Sequence, residues 1–98
     1  MFIRPLVMQA EAEIAYSQER WTEALSSFEI AVDLLDSMDR RLDHARSLKR
    51  WGEAHLSLGE PEHIDRGKML LEEARTEFKY MGSPGYVEAI DAQLENRA

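Results

Sequence analysis

The clearest hydrophobic pattern in the chain lies within residues 21–38. Apolar side chains recur there at intervals of four and three residues, which places them on one face of an α-helix. The members of this stripe are Ala24, Phe28, Ala31, Val32 and Leu35. The pattern therefore predicts an amphipathic helix over residues 21–38, with the stripe packed against the rest of the protein.

The pattern returns later in the chain, so the sequence contains an internal repeat. Four positions recur with a displacement of 43 residues: Ala24 with Gly67, Phe28 with Leu71, Ala31 with Ala74, and Met38 with Met81. Three earlier positions recur with a displacement of 40: Met8 with Leu48, Ala12 with Gly52, and Ala15 with His55. A period of about 40 residues with two helices per unit is typical of helical solenoids. The extra residues of the second unit are predicted to lie within residues 59–66.

Turn signals divide the chain into five predicted helices. These cover about residues 6–18, 21–38, 42–58, 67–80 and 84–96. Residues 60–66 are predicted as a polar loop, with an earlier start of the fourth helix near Glu62 as the alternative. Gly59 and Gly82 are predicted to end helices, and Pro84 suits the first position of the last helix. No alternating apolar run is long enough for a strand, so the predicted fold class is all-α.

With these residues the chain resembles the tetratricopeptide repeat (TPR) family. The resemblance is carried by Trp21, Ala24, Phe28 and Ala31 in the first unit, and by Leu48, Trp51, Gly52, Leu58, Gly59, Leu71 and Ala74 in the second. The first unit departs from the family pattern at Ala12, where the family usually has glycine, and no proline closes either unit. The long second helices are similar to a variant found in bacterial signalling regulators and scaffolds.

The resemblance implies a single TPR-like domain over residues 1–98, folded as an α-α superhelix, or solenoid. It implies a first repeat at about 5–38, a second at about 42–82 and a capping helix at about 84–97. In this family the first helices of successive units line a concave groove that binds a peptide or protein. On that analogy the groove residues are Gln9, Glu13, Tyr16, Arg46, Lys49, Glu53 and Leu56.

Basic residues concentrate in the third predicted helix. Arg46, Lys49 and Arg50 share one face of it, at spacings of three and four residues. They could pair with acidic side chains of the first helix across the groove, or receive an acidic peptide terminus. A solvated face with local ion pairs is the plainer alternative.

Composition and charge narrow the classes of partner. Hydrophobic residues make up 44% and charged residues 32% of the chain, which is typical of a folded globular protein. The formal net charge of −7 disfavours binding to nucleic acid and to anionic membrane surfaces. The chain has no cysteine, and no apolar run approaches the roughly 20 residues of a membrane-spanning helix. Since the first residues do not form a signal peptide either, we expect a cytoplasmic protein without membrane or nucleic-acid partners.

No arrangement of side chains predicts a catalytic or metal site. His44 and His55 are about three helical turns apart, which is too far for a shared metal ion. Four further candidates lie in the predicted loop: Glu60, Glu62, His63 and Asp65. Zinc needs three or four converging ligands, so an enzyme would have to supply this loop with ligands from elsewhere. We therefore expect no catalytic residue, metal or cofactor, and we expect His55 to be partly buried and hydrogen-bonded.

Two functions remain open at this point. The first is a non-catalytic protein–protein interaction module or scaffold, standing alone or as part of a larger regulator. The second is self-association, because the first predicted helix has a second apolar side. That side comprises Leu6, Ala10 and Ile14, and Met1, Phe2 and Ile3 add apolar surface at the same end. An uncapped solenoid end exposes such a face unless another repeat or another chain covers it, so the alternative function predicts a homodimer.

Overall fold

The computed structural model describes residues 4–96, and the side chains from residue 7 onwards, as five α-helices joined by short turns. The helices are α1 (Arg4–Ser17), α2 (Trp21–Ser37), α3 (Arg41–Leu58), α4 (Pro61–Tyr80) and α5 (Pro84–Asn96). No strand occurs within residues 4–96, and the predicted all-α class is confirmed. The expectations for residues 1–3, for the side chain of Leu6 and for residue 97 lie outside the described residues.

The start of α4 corrects one prediction. Residues 61–66, predicted as a loop, are helical, and α4 begins at Pro61, one residue before the alternative start near Glu62. Proline stabilises the first turn of a helix, because its fixed φ is already helical and no hydrogen-bond acceptor is needed for the missing N–H. The backbone N–H of Ile64 donates to the carbonyl of Glu60 at 2.9 Å, and the side chain of Ile64 packs against the core. The extra residues of the second unit therefore lengthen a helix instead of a loop.

Each of the four turns contains one residue in the left-handed backbone conformation. These residues are Glu19, Asp39, Gly59 and Gly82, with φ of 58°, 55°, 76° and 71°. At three turns the next backbone N–H donates to a carbonyl five residues earlier: Arg20 to Ala15, Arg40 to Leu35 and Ser83 to Phe78. This arrangement satisfies carbonyl groups at the helix ends. The predicted helix ends at Gly59 and Gly82 are confirmed, whereas nothing in the sequence predicted left-handed residues at positions 19 and 39.

The repeated stripes form the core, as the periodicity predicted. Consecutive helices pack on one another, and each stripe is buried between them. A first cluster consists of Ala12, Ala15, Ala24 and Phe28. A second consists of Val32, Ala45, Leu48, Leu56, Leu70, Leu71, Ala74, Phe78 and Ile90. Trp51 contacts both clusters, so its side chain links the two halves of the core.

The last helix is attached to α4 by three kinds of contact. The ring of Tyr86 stacks on Phe78, with centroids 4.2 Å apart and the planes only 5° from parallel. Ile90 is fully buried in the second cluster, so this side of α5 faces the protein. Arg75 donates to Asp91 at 2.6 Å and lies at the edge of this contact. Together these contacts place α5 beside α3 and α4, where its polar face can reach α3.

Candidate functional site: a groove along α3

Two adjoining hollows follow the polar side of α3. The first, of about 300 Å³, is lined by Gln9, Glu13, Arg46, Ser47, Lys49, Arg50 and Tyr86. The second, of about 370 Å³, is lined by Tyr16, Arg50, Glu53, Leu56, Ser57, Gln93 and Asn96. Arg50 lines both, so the hollows lie side by side, with walls from α1, α3 and α5. We call them hollow 1 and hollow 2, and together the groove.

The seven residues assigned to a groove from the sequence are all brought together here. Gln9, Glu13, Arg46 and Lys49 line hollow 1. Tyr16, Glu53 and Leu56 line hollow 2. On α1 and α3 the spacing of these positions by three and four residues keeps them on one side of each helix, next to the buried stripe, and Leu56 belongs to both the groove and the core. Whether they bind a partner remains a prediction.

Sequence reasoning did not assign the remaining lining residues to the groove. All of Ser47, Arg50 and Ser57 lie on α3. Arg50 and Ser57 are four residues from Arg46 and Glu53, so helical spacing could have found these two, whereas it does not indicate Ser47. Tyr86, Gln93 and Asn96 come from α5, which was predicted only as a cap. No local pattern indicates that α5 forms a third wall, because its position depends on the stack of Tyr86 on Phe78.

Glu53 is the centre of the polar network in the groove. Its carboxylate is buried, yet it accepts hydrogen bonds from three side chains: Lys49 Nζ at 2.7 Å, Gln93 Nε2 at 2.6 Å and Arg50 Nη1 at 3.2 Å. Burial raises the pKa of Glu53, but the hydrogen bonds from Lys49 and Gln93 and the nearby cationic charges outweigh burial and hold the pKa below its usual range. Glu53 is therefore ionised at neutral pH and connects α3 to α5.

Arg50 connects α3 to α1 from the same network. Its Nε donates to Glu13 across the groove at 3.1 Å, which is the pairing between the basic face and the first helix that the sequence suggested. Its guanidinium carbon lies 4.7 Å from the centre of the Tyr16 ring. Burial, together with the charge of Glu53, raises the pKa of Tyr16, so the phenol stays protonated. One arginine thus holds side chains from two helices along the groove.

Unused hydrogen-bonding groups also line the groove. The hydroxyl of Ser47 in hollow 1 and the side-chain oxygen of Gln93 in hollow 2 are buried without a hydrogen-bond partner. Arg46 is exposed and forms no ion pair with any residue in the described part of the chain. Buried polar groups usually have partners, so these groups are candidates for contact with a ligand.

The histidines lie away from the groove's charged network. His55 and His63 face each other at 2.9 Å between their Nδ1 atoms, and the ring of His55 lies 6.2 Å from Trp51. Burial, together with His63 and Arg66, lowers the pKa of His55 from 6.5 to about 4. The expectation that His55 is partly buried and hydrogen-bonded is confirmed. Within residues 4–96, no group of three or more histidine, aspartate or glutamate side chains is placed to hold a metal ion.

The residues predicted for self-association lie on a different surface. Ile14 is 52% exposed and Val7, on the same helix, is 43% exposed, and Ala10 is exposed between them. None of the three lines either hollow. In the described residues, no helix has both the length and the apolar character needed to cross a bilayer.

Comparisons with known proteins identify no relative of this chain. No protein-family model matches it, and neither curated proteins nor solved structures yield a match. The resemblance to TPR proteins therefore stays a prediction from the residues of this sequence.

Proposed function

We propose that this protein is a non-catalytic protein–protein interaction module of the TPR type, and that its groove binds a segment of a partner protein. In this proposal two helical hairpins, α1 with α2 and α3 with α4, form a short superhelix that α5 completes. The same proposal covers a scaffold role, in which the partner is held without being chemically changed.

The observation that carries the proposal is the agreement between two independent assignments. Seven residues were assigned to a groove by analogy with the TPR family, and the same seven line two adjoining hollows along one side of α3. The lining is mostly polar with a few aromatic and aliphatic side chains, which suits the polar rim and small apolar contacts of a transient interface. A groove of this size favours weak, micromolar-range binding of a short segment.

The packing order and dimensions also support the proposal. Consecutive helices make the most extensive contacts, as in a solenoid where each unit packs on its neighbours. The helices extend over 41 × 32 × 19 Å, and a shortest dimension of this size suits two layers of helices.

Site-specific photo-cross-linking tests the proposal in cells that produce the protein. A photoreactive phenylalanine analogue replaces Gln9 or Arg46 in the groove, or Glu72 on an exposed surface of α4 as the control. We expect both groove positions to capture the same partner, and the control position to capture none. Capture at Glu72 alone, equal capture at all three positions, or no capture at the groove positions would contradict the proposal.

Self-association through α1 is the second candidate function. The exposure of Ile14 and Val7 favours it, because apolar side chains on an unpartnered helix face are a common feature of subunit interfaces. A two-fold dimer would bury this face against the same face of a second copy. Light scattering over about a hundredfold range of protein concentration tests this candidate function.

The matched substitution for this test is Ile14→Glu, with Ile30→Glu on α2 as the control. Ile30 is also exposed, but it does not belong to the predicted interface. We expect a dimer that Ile14→Glu alone converts to monomer. A monomer at every concentration, or a dimer that survives Ile14→Glu, would exclude self-association through this face.

A further inference from the structure

The lining of hollow 1 is rich in hydrogen-bond donors. Arg46, Lys49 and Arg50 carry positive charge, and Ser47, Gln9 and Tyr86 add neutral donors. Glu13 is the single acidic residue that lines this hollow. A ligand group that matches such a lining must offer several acceptor oxygens and negative charge.

Ser47 is a second, independent sign of an acceptor ligand. Only 1% of the surface of Ser47 is exposed, and its hydroxyl has no hydrogen-bond partner among the described residues. A serine within a helix commonly bonds to a carbonyl of the preceding turn, and Ser57 does so with Glu53 at 3.0 Å. Ser47 has no such bond, so its hydroxyl is a buried, unsatisfied donor in the wall of hollow 1.

The two carboxylates that contact Arg50 differ in how easily they can be replaced. The side chains of Arg50 and Glu13 are 43% and 40% exposed, whereas that of Glu53 is only 9% exposed. Exposed ion pairs contribute little to stability, but a buried carboxylate with several donors is costly to displace. An incoming anion can therefore replace Glu13 on Arg50 while Glu53 remains in place.

We propose that hollow 1 is an anion site for an acidic or phosphorylated side chain of the partner, with Glu13 as a built-in competitor for Arg50. The inference rests on the proposed function, since it names the chemistry of the segment that the groove accepts. Arg46 and the Ser47 hydroxyl bind the anion directly, and Arg50 exchanges Glu13 for the ligand. Glu53 keeps Lys49 and Arg50 in position, because its carboxylate accepts a hydrogen bond from each of them.

An NMR titration of the ¹⁵N-labelled protein tests the inference. Three end-capped peptides with glycine and serine flanks carry glutamate, phosphoserine or glutamine at the centre, and inorganic phosphate is a fourth probe. We expect the two anionic peptides to shift the signals of Arg46, Ser47 and Arg50, and to bind at least about tenfold more tightly than the glutamine peptide. Equal binding of all three peptides, or shifts confined to other residues, would overturn the inference. Binding of inorganic phosphate without binding of either anionic peptide would also overturn it.

Substitutions make the test specific to the proposed roles. Glu13→Gln should tighten binding of the anionic peptides by about two- to fivefold, because it removes the competing carboxylate. Arg46→Gln and Ser47→Ala should weaken it by about three- to tenfold. Lys79→Gln, which removes the same charge as Arg46→Gln at an exposed position outside both hollows, should have no effect.

The outcomes separate this inference from the proposed function. An unchanged affinity in Glu13→Gln, or equal losses in Arg46→Gln and Lys79→Gln, would overturn the anion site. If photo-cross-linking captures a partner at Gln9 and Arg46 while the peptides show no preference for charge, the groove still binds a partner and only the anion site fails.

Discussion

Gly52 of α3 and Gly67 of α4 face each other so closely that neither position has room for a β-carbon. A β-carbon placed on Gly52 would lie 2.9 Å from the carbonyl oxygen of Gly67, and one on Gly67 would lie 2.8 Å from the carbonyl oxygen of Gly52. Both distances are shorter than van der Waals contact, and the opposing atoms belong to the backbone, which cannot rotate away. The contact between α3 and α4 therefore depends on glycine at both positions.

The first prediction concerns this helix contact. Gly52→Ala or Gly67→Ala should lower the free energy of unfolding by about 1–3 kcal/mol, because the added methyl group forces the helices apart. Urea denaturation followed by circular dichroism measures the change. Gly85→Ala is the matched control, because nothing lies within 4 Å of its position, and in α5 alanine should stabilise the protein by about 0.5–1 kcal/mol. If all three substitutions had the same sign, close approach would not be the reason for glycine.

The second prediction concerns the turns after α1 and α2. Glu19 and Asp39 adopt left-handed conformations that glycine adopts without steric cost. Glu19→Gly and Asp39→Gly should each raise the free energy of unfolding by about 0.5–1 kcal/mol. Glu19→Ala is the control, since it removes the same charge but keeps the β-carbon. Thermal unfolding would contradict the prediction if Glu19→Ala stabilised the protein as much as Glu19→Gly.

The third prediction concerns the buried carboxylate in the groove. Glu53→Gln should lower the free energy of unfolding at pH 7 by about 1–3 kcal/mol, because it weakens the hydrogen bonds from Lys49 and Gln93. The folded protein holds the pKa of Glu53 below its ordinary value of 4.5, so this stabilisation is complete above that pH and is lost as the pH falls below it. Denaturation of both proteins at several pH values measures the difference, which should shrink in acid.

The control for Glu53 is an exposed glutamate. Glu29→Gln, on the exposed side of α2, should change the free energy of unfolding by less than about 0.5 kcal/mol at any of these pH values. A constant difference between the wild-type protein and Glu53→Gln down to strong acid would contradict a lowered pKa of Glu53.

The fourth prediction concerns the histidine pair between α3 and α4. His55 has a pKa of about 4 in the folded protein and 6.5 in the unfolded chain, so the unfolded chain binds a proton more readily in this range. Stability should therefore fall as the pH drops from 6.5 towards 4, and level off for this group below pH 4. After allowance for solvent screening, we expect a loss of about 1 kcal/mol.

Denaturation of His55→Gln and His63→Gln checks this origin. His55→Gln should abolish the loss between pH 6.5 and 4, because the titrating group is gone. His63→Gln should reduce it, since His63 contributes to the lowered pKa of His55. If both variants lost as much stability as the wild-type protein in this range, another group would be responsible. The pH range in which His55 affects stability lies mostly above the range in which Glu53 does, so the two effects on the free energy of unfolding can be separated.

The local elements could be predicted from the sequence. The stripe that contains Ala24, Phe28 and Ala31 identified the buried face of α2, and its repeat identified Leu71 and Ala74 on α4. These features depend on the 3.6-residue period of a helix. That period is a local property, and it can be read from the sequence of any helix long enough for about three turns. The seven groove residues were assigned by the resemblance to TPR proteins, and helix-ending glycines marked two of the four turns.

The tertiary structure decided where the helices meet and what each polar group contacts. The third wall of the groove exists because Tyr86 stacks on Phe78, and the buried carboxylate of Glu53 accepts one of its hydrogen bonds from Gln93, forty residues away. The start of α4 at Pro61 also depends on the core, since the partly buried side chain of Ile64 packs against it there. A local pattern reports which face of a helix is apolar. Which side chains from distant helices share a site depends on close packing between them, which only the folded chain establishes.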